Sequence, residues 1–143
     1  MIEAAKTFEE YIKKENITGF RIREMGDDRG TTIFESEIEA DDRRLPIVLI
    51  IDTTAYATIR IRLAPDAVDD TNAMLLTGWL MRQNQDSRLI KFYLTSETAI
   101  LADVVIPHNP EALDPEVMVS VLRVFIRDIT KLMPDLAMLL PEE

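Results

Sequence analysis

Several residue types on which common protein chemistry depends are scarce in this sequence. Its 143 residues include no cysteine, one histidine and four glycines. Without cysteine there are no disulfides, thiolate nucleophiles or zinc–thiolate sites, and one histidine cannot form a multi-histidine metal site. The glycines form no phosphate-binding loop, and no serine lies in a G-x-S-x-G motif. We therefore expect no cofactor, no metal and no enzymatic activity.

Positive charge is also in short supply. The chain has 16 lysines and arginines against 26 aspartates and glutamates, so its net charge is -10. Such a protein repels a phosphate backbone and an anionic membrane surface, so neither nucleic acid nor a membrane is an expected partner. The longest apolar run, PIVLII, is far shorter than the ~20 residues of a membrane span. The charged N-terminus lacks the apolar segment of a signal peptide, and we predict a soluble, cytoplasmic protein.

The remaining composition is that of an ordinary globular domain. Hydrophobic residues make up 47% and charged residues 29% of the chain. A chain of this length buries roughly 70% of its unfolded surface, enough for one core. No repeat or flexible linker divides it, so we predict a single domain over residues 1–143.

Hydrophobic periodicity predicts the elements. A spacing of three to four predicts a helix from Ile2 to about Glu15, and period-two alternation then predicts a meander of four strands. Asp69 or Asp70 is expected to cap a helix from Thr71 to Gln83, and two further strands follow. A last helix should start at Pro115, capped by Asp114, and be interrupted by Pro134. The predicted order is αββββαββα, an α+β domain with helices on one face of an antiparallel sheet.

Two hairpins can be given a register. A five-residue loop from Gly26 to Gly30 places Ile22 opposite Phe34 and Arg21 opposite Glu35, so that apolar faces and opposite charges both match. A three-residue loop from Ser96 to Thr98 similarly pairs Phe92 with Ala102 and Lys91 with Asp103.

Few residues are candidates for catalysis, metal binding or phosphate binding. His108 is a natural acid–base candidate, but it lies between two prolines at a bend, and we expect an exposed or hydrogen-bonded loop residue. The pairs Asp27-Asp28, Asp41-Asp42 and Asp69-Asp70 fit turns and a cap better than a calcium loop. Arginines on the strands could form a basic strip, but cross-strand pairing with glutamates is the favoured interpretation. These arginines are Arg21, Arg23, Arg43, Arg44, Arg60 and Arg62, and the glutamates are Glu35, Glu37 and Glu39.

The helix around MLLTGWLM is apolar over much of its circumference. It is either a buried core helix or a partner and self-association surface, since methionine and aromatic residues are enriched at interfaces. Gly78 would permit close approach of another backbone. The candidate partner or dimer surface consists of Met74, Leu75, Gly78 and Trp79. The apolar segment LAMLL after Pro134 raises the same alternative, since it could dock on its own core or on another chain.

The chain from Asn72 to Ile126 resembles YbjN-like domains and the related fold of type III secretion chaperones. The shared pattern is an apolar helix ending near Asn84, a strand with Lys91, Phe92 and Leu94, a hydrophobic return strand, and an acidic entry into a long apolar helix. Secretion chaperones bind partner polypeptides as dimers, and YbjN-like proteins are described as regulatory or sensory. The resemblance implies a non-enzymatic protein-binding module with a protein partner, and it places a candidate homodimer contact on the helix at Met74 to Trp79. A small-ligand sensor or an enzyme with a pocket between helices and sheet is the alternative.

Overall fold

The protein is an α+β domain in the predicted order αββββαββα. In a computed structural model, residues 1–141 are described. The helices are α1 (Glu3–Lys14), α2 (Ala73–Asp86) and α3 (Pro115–Ala137). The strands are β1 (Arg21–Glu24), β2 (Thr32–Ala40), β3 (Arg43–Ile51), β4 (Tyr56–Ala64), β5 (Lys91–Leu94) and β6 (Ile100–Pro107).

The six strands form one antiparallel sheet in the order β1-β2-β3-β4-β6-β5. Both predicted hairpin registers are confirmed. Ile22 lies opposite Phe34 in the first, and Phe92 lies opposite Ala102 in the second. The second hairpin joins the sheet through β6, which pairs with β4, so β5 becomes an edge strand.

One face of the sheet carries the core. Alternate residues of β3 and β4, such as Leu49, Ile59 and Ile61, are at most 1% exposed. The helices pack on this face, because alternation places its apolar side chains on one side only. Phe8 of α1 meets Phe34 of β2 edge-on, with ring centroids 4.9 Å apart.

The start of α2 differs from the prediction. The N-cap position is Asn72 rather than Asp69 or Asp70, and the Asn72 side chain forms no capping hydrogen bond with the helix. The Asp69 carboxylate instead accepts hydrogen bonds from the backbone and hydroxyl of Thr71, which lowers the pKa of Asp69. The helix therefore begins later than Thr71, and it ends at Asp86 rather than at Gln83.

The end of α3 differs as well. Pro134 does not interrupt the helix, which continues to Ala137. A proline removes one hydrogen bond from a helix interior, but burial of Leu136 at 0% exposure favours continuation. The side-chain amide of Asn72 donates to the backbone oxygen of Leu139 at 2.9 Å. Leu136, Leu139 and Leu140 of the LAMLL segment therefore pack on the chain's own core.

The outer edge of β5 is closed by a side chain. The amide nitrogen of Asn84 donates to the backbone oxygen of Phe92, and its oxygen accepts from the Phe92 N–H, both at 2.8 Å. An open strand edge is a template for pairing with other chains. Asn84 forms with Phe92 the two hydrogen bonds that a neighbouring strand would form. It also fixes the end of α2 to the sheet.

We predict that Asn84→Ala lowers the free energy of unfolding by about 1–3 kcal/mol, because two hydrogen bonds to the edge strand are lost. Urea denaturation followed by circular dichroism measures this loss. Gln85→Ala, one position further along α2, is the matched control and should change stability little. Equal effects of both substitutions would contradict the role of Asn84.

Candidate interaction surface

The two sides of α2 have different environments. Leu76 and Trp79 point to the sheet, where Trp79 is 3% exposed and meets Phe92 edge-on with centroids 5.8 Å apart. Met74 and Leu75 are 89% and 62% exposed, and Met81 is 68% exposed. Of the four candidate surface residues, Trp79 thus lies in the core, whereas Met74 and Leu75 lie at the surface.

Met74, Gly78 and Met81 follow one another at the spacing of a single helix face. We call Met74, Leu75, Gly78 and Met81 the α2 outer face. A Cβ atom at Gly78 would meet only the Arg82 guanidinium, at 3.6 Å, so no backbone of residues 1–141 approaches this glycine closely. The glycine leaves a shallow gap between two exposed methionines, with the Arg82 guanidinium at its edge.

The C-terminal segment extends this apolar surface. Met138 is 84% exposed, and it lines a shallow groove together with Leu75, Leu139 and Leu140. The only acidic residue of α2 is Asp86, at the helix end. The exposed side chains of this surface are mainly apolar, with Asp69 at the groove and Asp86 at the end of α2.

The open face of the sheet is charged, and its charges are mostly paired. One row across the six strands runs Arg21, Glu35, Val48, Arg60, Asp103 and Lys91. Arg23 contacts Glu35 at 2.6 Å, and Arg44 lies 3.8 Å from both Glu37 and Glu39. Cross-strand pairing with these glutamates is therefore observed for Arg21, Arg23 and Arg44. Arg60 differs, because its partner is Asp103 rather than a glutamate.

Asp103 is the centre of a polar network on this face. Although it is only 7% exposed, its two oxygens accept from Arg60 at 2.8 and 3.0 Å, and one also accepts from the Tyr93 hydroxyl at 2.8 Å. The hydrogen bond to Asp103 raises the pKa of Arg60. Burial, followed by the hydrogen bond to Asp103, raises the pKa of Tyr93. The bidentate Arg60–Asp103 pair joins β4 to β6. The hydrogen bond from Tyr93 joins β5 to the same carboxylate.

His108 lies at the bend that follows β6. The backbone N–H of His108 donates to Ala55 at 2.8 Å. Both ring nitrogens are shielded from solvent and lack hydrogen-bond partners within residues 1–141. The expectation of an exposed or hydrogen-bonded imidazole is therefore wrong, because the corner packs around the ring. Asp114 caps α3 by accepting from Glu116 and Val117.

The aspartate pairs lie in turns. Asp27 accepts from the backbone and hydroxyl of Thr31 across the first hairpin loop, and these bonds lower the pKa of Asp27. Asp41 and Asp42 have positive φ angles of 54° and 59° in the turn between β2 and β3, the conformation of a two-residue hairpin turn. Among residues 1–141, no three His, Cys, Asp or Glu side chains are grouped to hold a metal ion.

The raised pKa of Tyr93 gives a test of the Asp103 network. We predict that Tyr93 ionises above its ordinary pKa of 10.0, because burial and, after it, the hydrogen bond to the anionic Asp103 disfavour the phenolate. The folded pKa exceeds the unfolded one, so this contribution to stability is present below pH 10 and is lost as pH rises through the folded pKa. Absorbance titration of the parent minus Tyr93→Phe isolates this group. Asp103→Asn should lower the midpoint, and a parent midpoint at or below 10 would contradict the network.

Comparisons with known proteins were made at three levels. No family model, no curated protein and no solved structure matches this chain. The resemblance to YbjN-like domains and secretion chaperones therefore stays a prediction. No helix within residues 1–141 is both long and apolar enough to cross a membrane.

Proposed function

We propose that this protein is a non-enzymatic, cytoplasmic protein-binding module, chaperone-like or regulatory, that acts through the α2 outer face. The observation that carries the proposal is the exposure of Met74, Leu75 and Met81 on one helix. Contiguous exposed apolar side chains on a soluble protein mark interaction sites more often than isolated ones do. Methionine also suits such a surface, because its flexible side chain adapts to a partner.

The occupant we assign to this face is a second copy of the chain. Two copies carry like charge, so they would avoid contacts that bring acidic residues together. Along α2, Asp86 is the one acidic residue, and it lies at the end of the helix. Antiparallel α2 helices could therefore meet at Met74, Gly78 and Met81, because no carboxylate lies between these three positions.

The spacing of this face is also self-complementary. In a two-fold interface the same patch contacts itself, so a protrusion needs a matching gap in the same patch. Gly78 provides the gap, and Met74 and Met81 lie about one turn to either side of it. A methionine of one copy can then lie over Gly78 of the other.

Two features argue against phosphate binding and against catalysis at His108. Arg21, Arg23, Arg44 and Arg60 have carboxylate partners, which argues against a continuous strip for phosphates, although Arg43 and Arg62 have no ion-pair partner within residues 1–141. The shielded ring of His108 has no carboxylate or nucleophile bonded to it within residues 1–141. A small-ligand sensor remains the second candidate, and a cavity beneath α3 favours it, as described below.

We predict that the parent chain forms a dimer whose dissociation constant rises at least tenfold in Met74→Glu. The introduced carboxylates would face each other or the apolar partner surface, and desolvating them is costly. Sedimentation velocity over a concentration series measures the constant. Met25→Glu, an exposed methionine that follows edge strand β1, is the matched control and should leave it unchanged.

Circular dichroism of both variants establishes that they are folded. A parent that stays monomeric at the highest concentration would contradict self-association. An equal rise of the dissociation constant in Met74→Glu and Met25→Glu would instead contradict the assignment of the dimer interface to α2.

A further inference from the structure

A second feature, separate from the α2 outer face, is a cavity of about 230 Å³ between α3 and the first hairpin. Its deepest lining is apolar and buried, and consists of Ile47, Val119 and Leu122. Half-buried apolar side chains form the walls, and the outermost lining residues, Thr18 and Arg123, are exposed. The walls are Ile17, Phe20, Ile38 and Ile126. The cavity thus changes from apolar at its floor to polar at its rim.

Two small residues create the space. Ser36 occupies an inward position of β2 opposite Ile47, between Phe34 and Ile38, where alternation would place a third large apolar side chain. Gly19 faces it, since a Cβ at Gly19 would lie 3.7 Å from the Ser36 hydroxyl. The Ser36 hydroxyl lines the cavity and forms no side-chain hydrogen bond within residues 1–141.

The wall beside Gly19 is fixed by the end of α1. Asn16 has a φ of 55°, its N–H donates to Lys13, and the N–H of Ile17 donates back to Ile12 at 2.8 Å. These two bonds are those of a Schellman motif, which ends a helix and sets the path of the following residue. Ile17 is therefore held at the cavity wall in the unliganded chain, which reduces the ordering cost of binding.

Arg123 supplies the charge at the rim. It is exposed on α3, and within residues 1–141 it has no ion-pair partner. No aspartate or glutamate lines the cavity. Arg127, one turn further along, contacts Asp128 at 3.3 Å. Arg123 is therefore the one charged residue in the lining of this apolar cavity, on a chain with a net charge of -10.

We propose that this cavity binds a small anionic amphiphile, with its apolar chain between α3 and β2 and its anionic head on Arg123. A guanidinium pairs with carboxylate, phosphate and sulfate groups through charge-assisted hydrogen bonds. The Ser36 and Thr18 hydroxyls can donate to head-group oxygens. The volume is below the roughly 300–1,000 Å³ of drug-sized sites, which fits one short chain and excludes a two-chain lipid.

The test uses isothermal titration calorimetry with ligands that share an eight-carbon chain. We expect sodium octanoate or octyl phosphate to bind one site per chain, and preference between the two identifies the head group. Uncharged 1-octanol should bind at least tenfold more weakly, and octylamine should bind more weakly still. Absence of binding by both anions, or equal binding by 1-octanol, would overturn the proposal.

Variants locate the site. Arg123→Gln should weaken binding of the anion at least tenfold, because it removes the charge but keeps a polar side chain of similar reach. Arg127→Gln is the matched control on the same helix and should bind as the parent does. Equal loss in both variants, or no loss in Arg123→Gln, would place the ligand elsewhere and overturn the proposal.

A cavity-filling variant gives a second measurement. Ser36→Ile replaces a hydroxyl by a β-branched apolar side chain that suits a strand and fills the cavity. It should raise the urea midpoint of the ligand-free protein and abolish octanoate binding. A folded Ser36→Ile variant that binds octanoate like the parent would overturn the proposal, and Arg123→Gln still decides the question if Ser36→Ile misfolds.

Discussion

Burial of one face of a six-stranded sheet is the constraint on which the rest of this structure depends. Strands about 4.8 Å apart give a sheet roughly 24 Å wide, and helices pack about 8–10 Å apart, so three helices are needed to cover it. α1 and α3 pack over the β2 side, where Phe8 meets Phe34. α2 covers the far edge through Trp79 and Phe92. Because nothing in residues 1–141 covers α2 from outside, its outer face is exposed.

The sheet could be predicted from the sequence because alternation and loop length together fix a register. A shift of one residue would expose Phe34 or Phe92, so both hairpins admit one pairing. The start of α2 and the end of α3 could not be predicted from local signals, unlike the start of α3 at Pro115. Asn72 is held by the carbonyls of Ala67 and Leu139, and Pro134 is tolerated because the helix beyond it buries Leu136. Both outcomes depend on contacts between segments distant in sequence.

In the candidate sites too, some features follow from the local sequence and others depend on contacts between distant segments. Apolar residues surround most of α2, so the pattern alone could not separate the buried Trp79 from the exposed Met74, and only contact with β5 separates them. The Arg60–Asp103 pair needed the pairing of β4 with β6, which are not consecutive strands. A signal for the cavity was present, since Ser36 breaks the apolar alternation of β2. This signal could be interpreted as a cavity only once the position of Gly19 beside Ser36 was known. The end of α1 sets that position.

Incomplete covering of α2 leaves an exposed face, which we propose a second copy of the chain occupies. Methyl NMR on methionine tests it most directly, because the chain has seven methionines and their methyl groups report on separate surfaces. The account predicts that raising the protein concentration shifts the Met74 and Met81 methyl signals together, with a common midpoint, while that of Met25 stays fixed. Signals of Met74 and Met81 that do not change with concentration, or that change only in step with Met25, would contradict it.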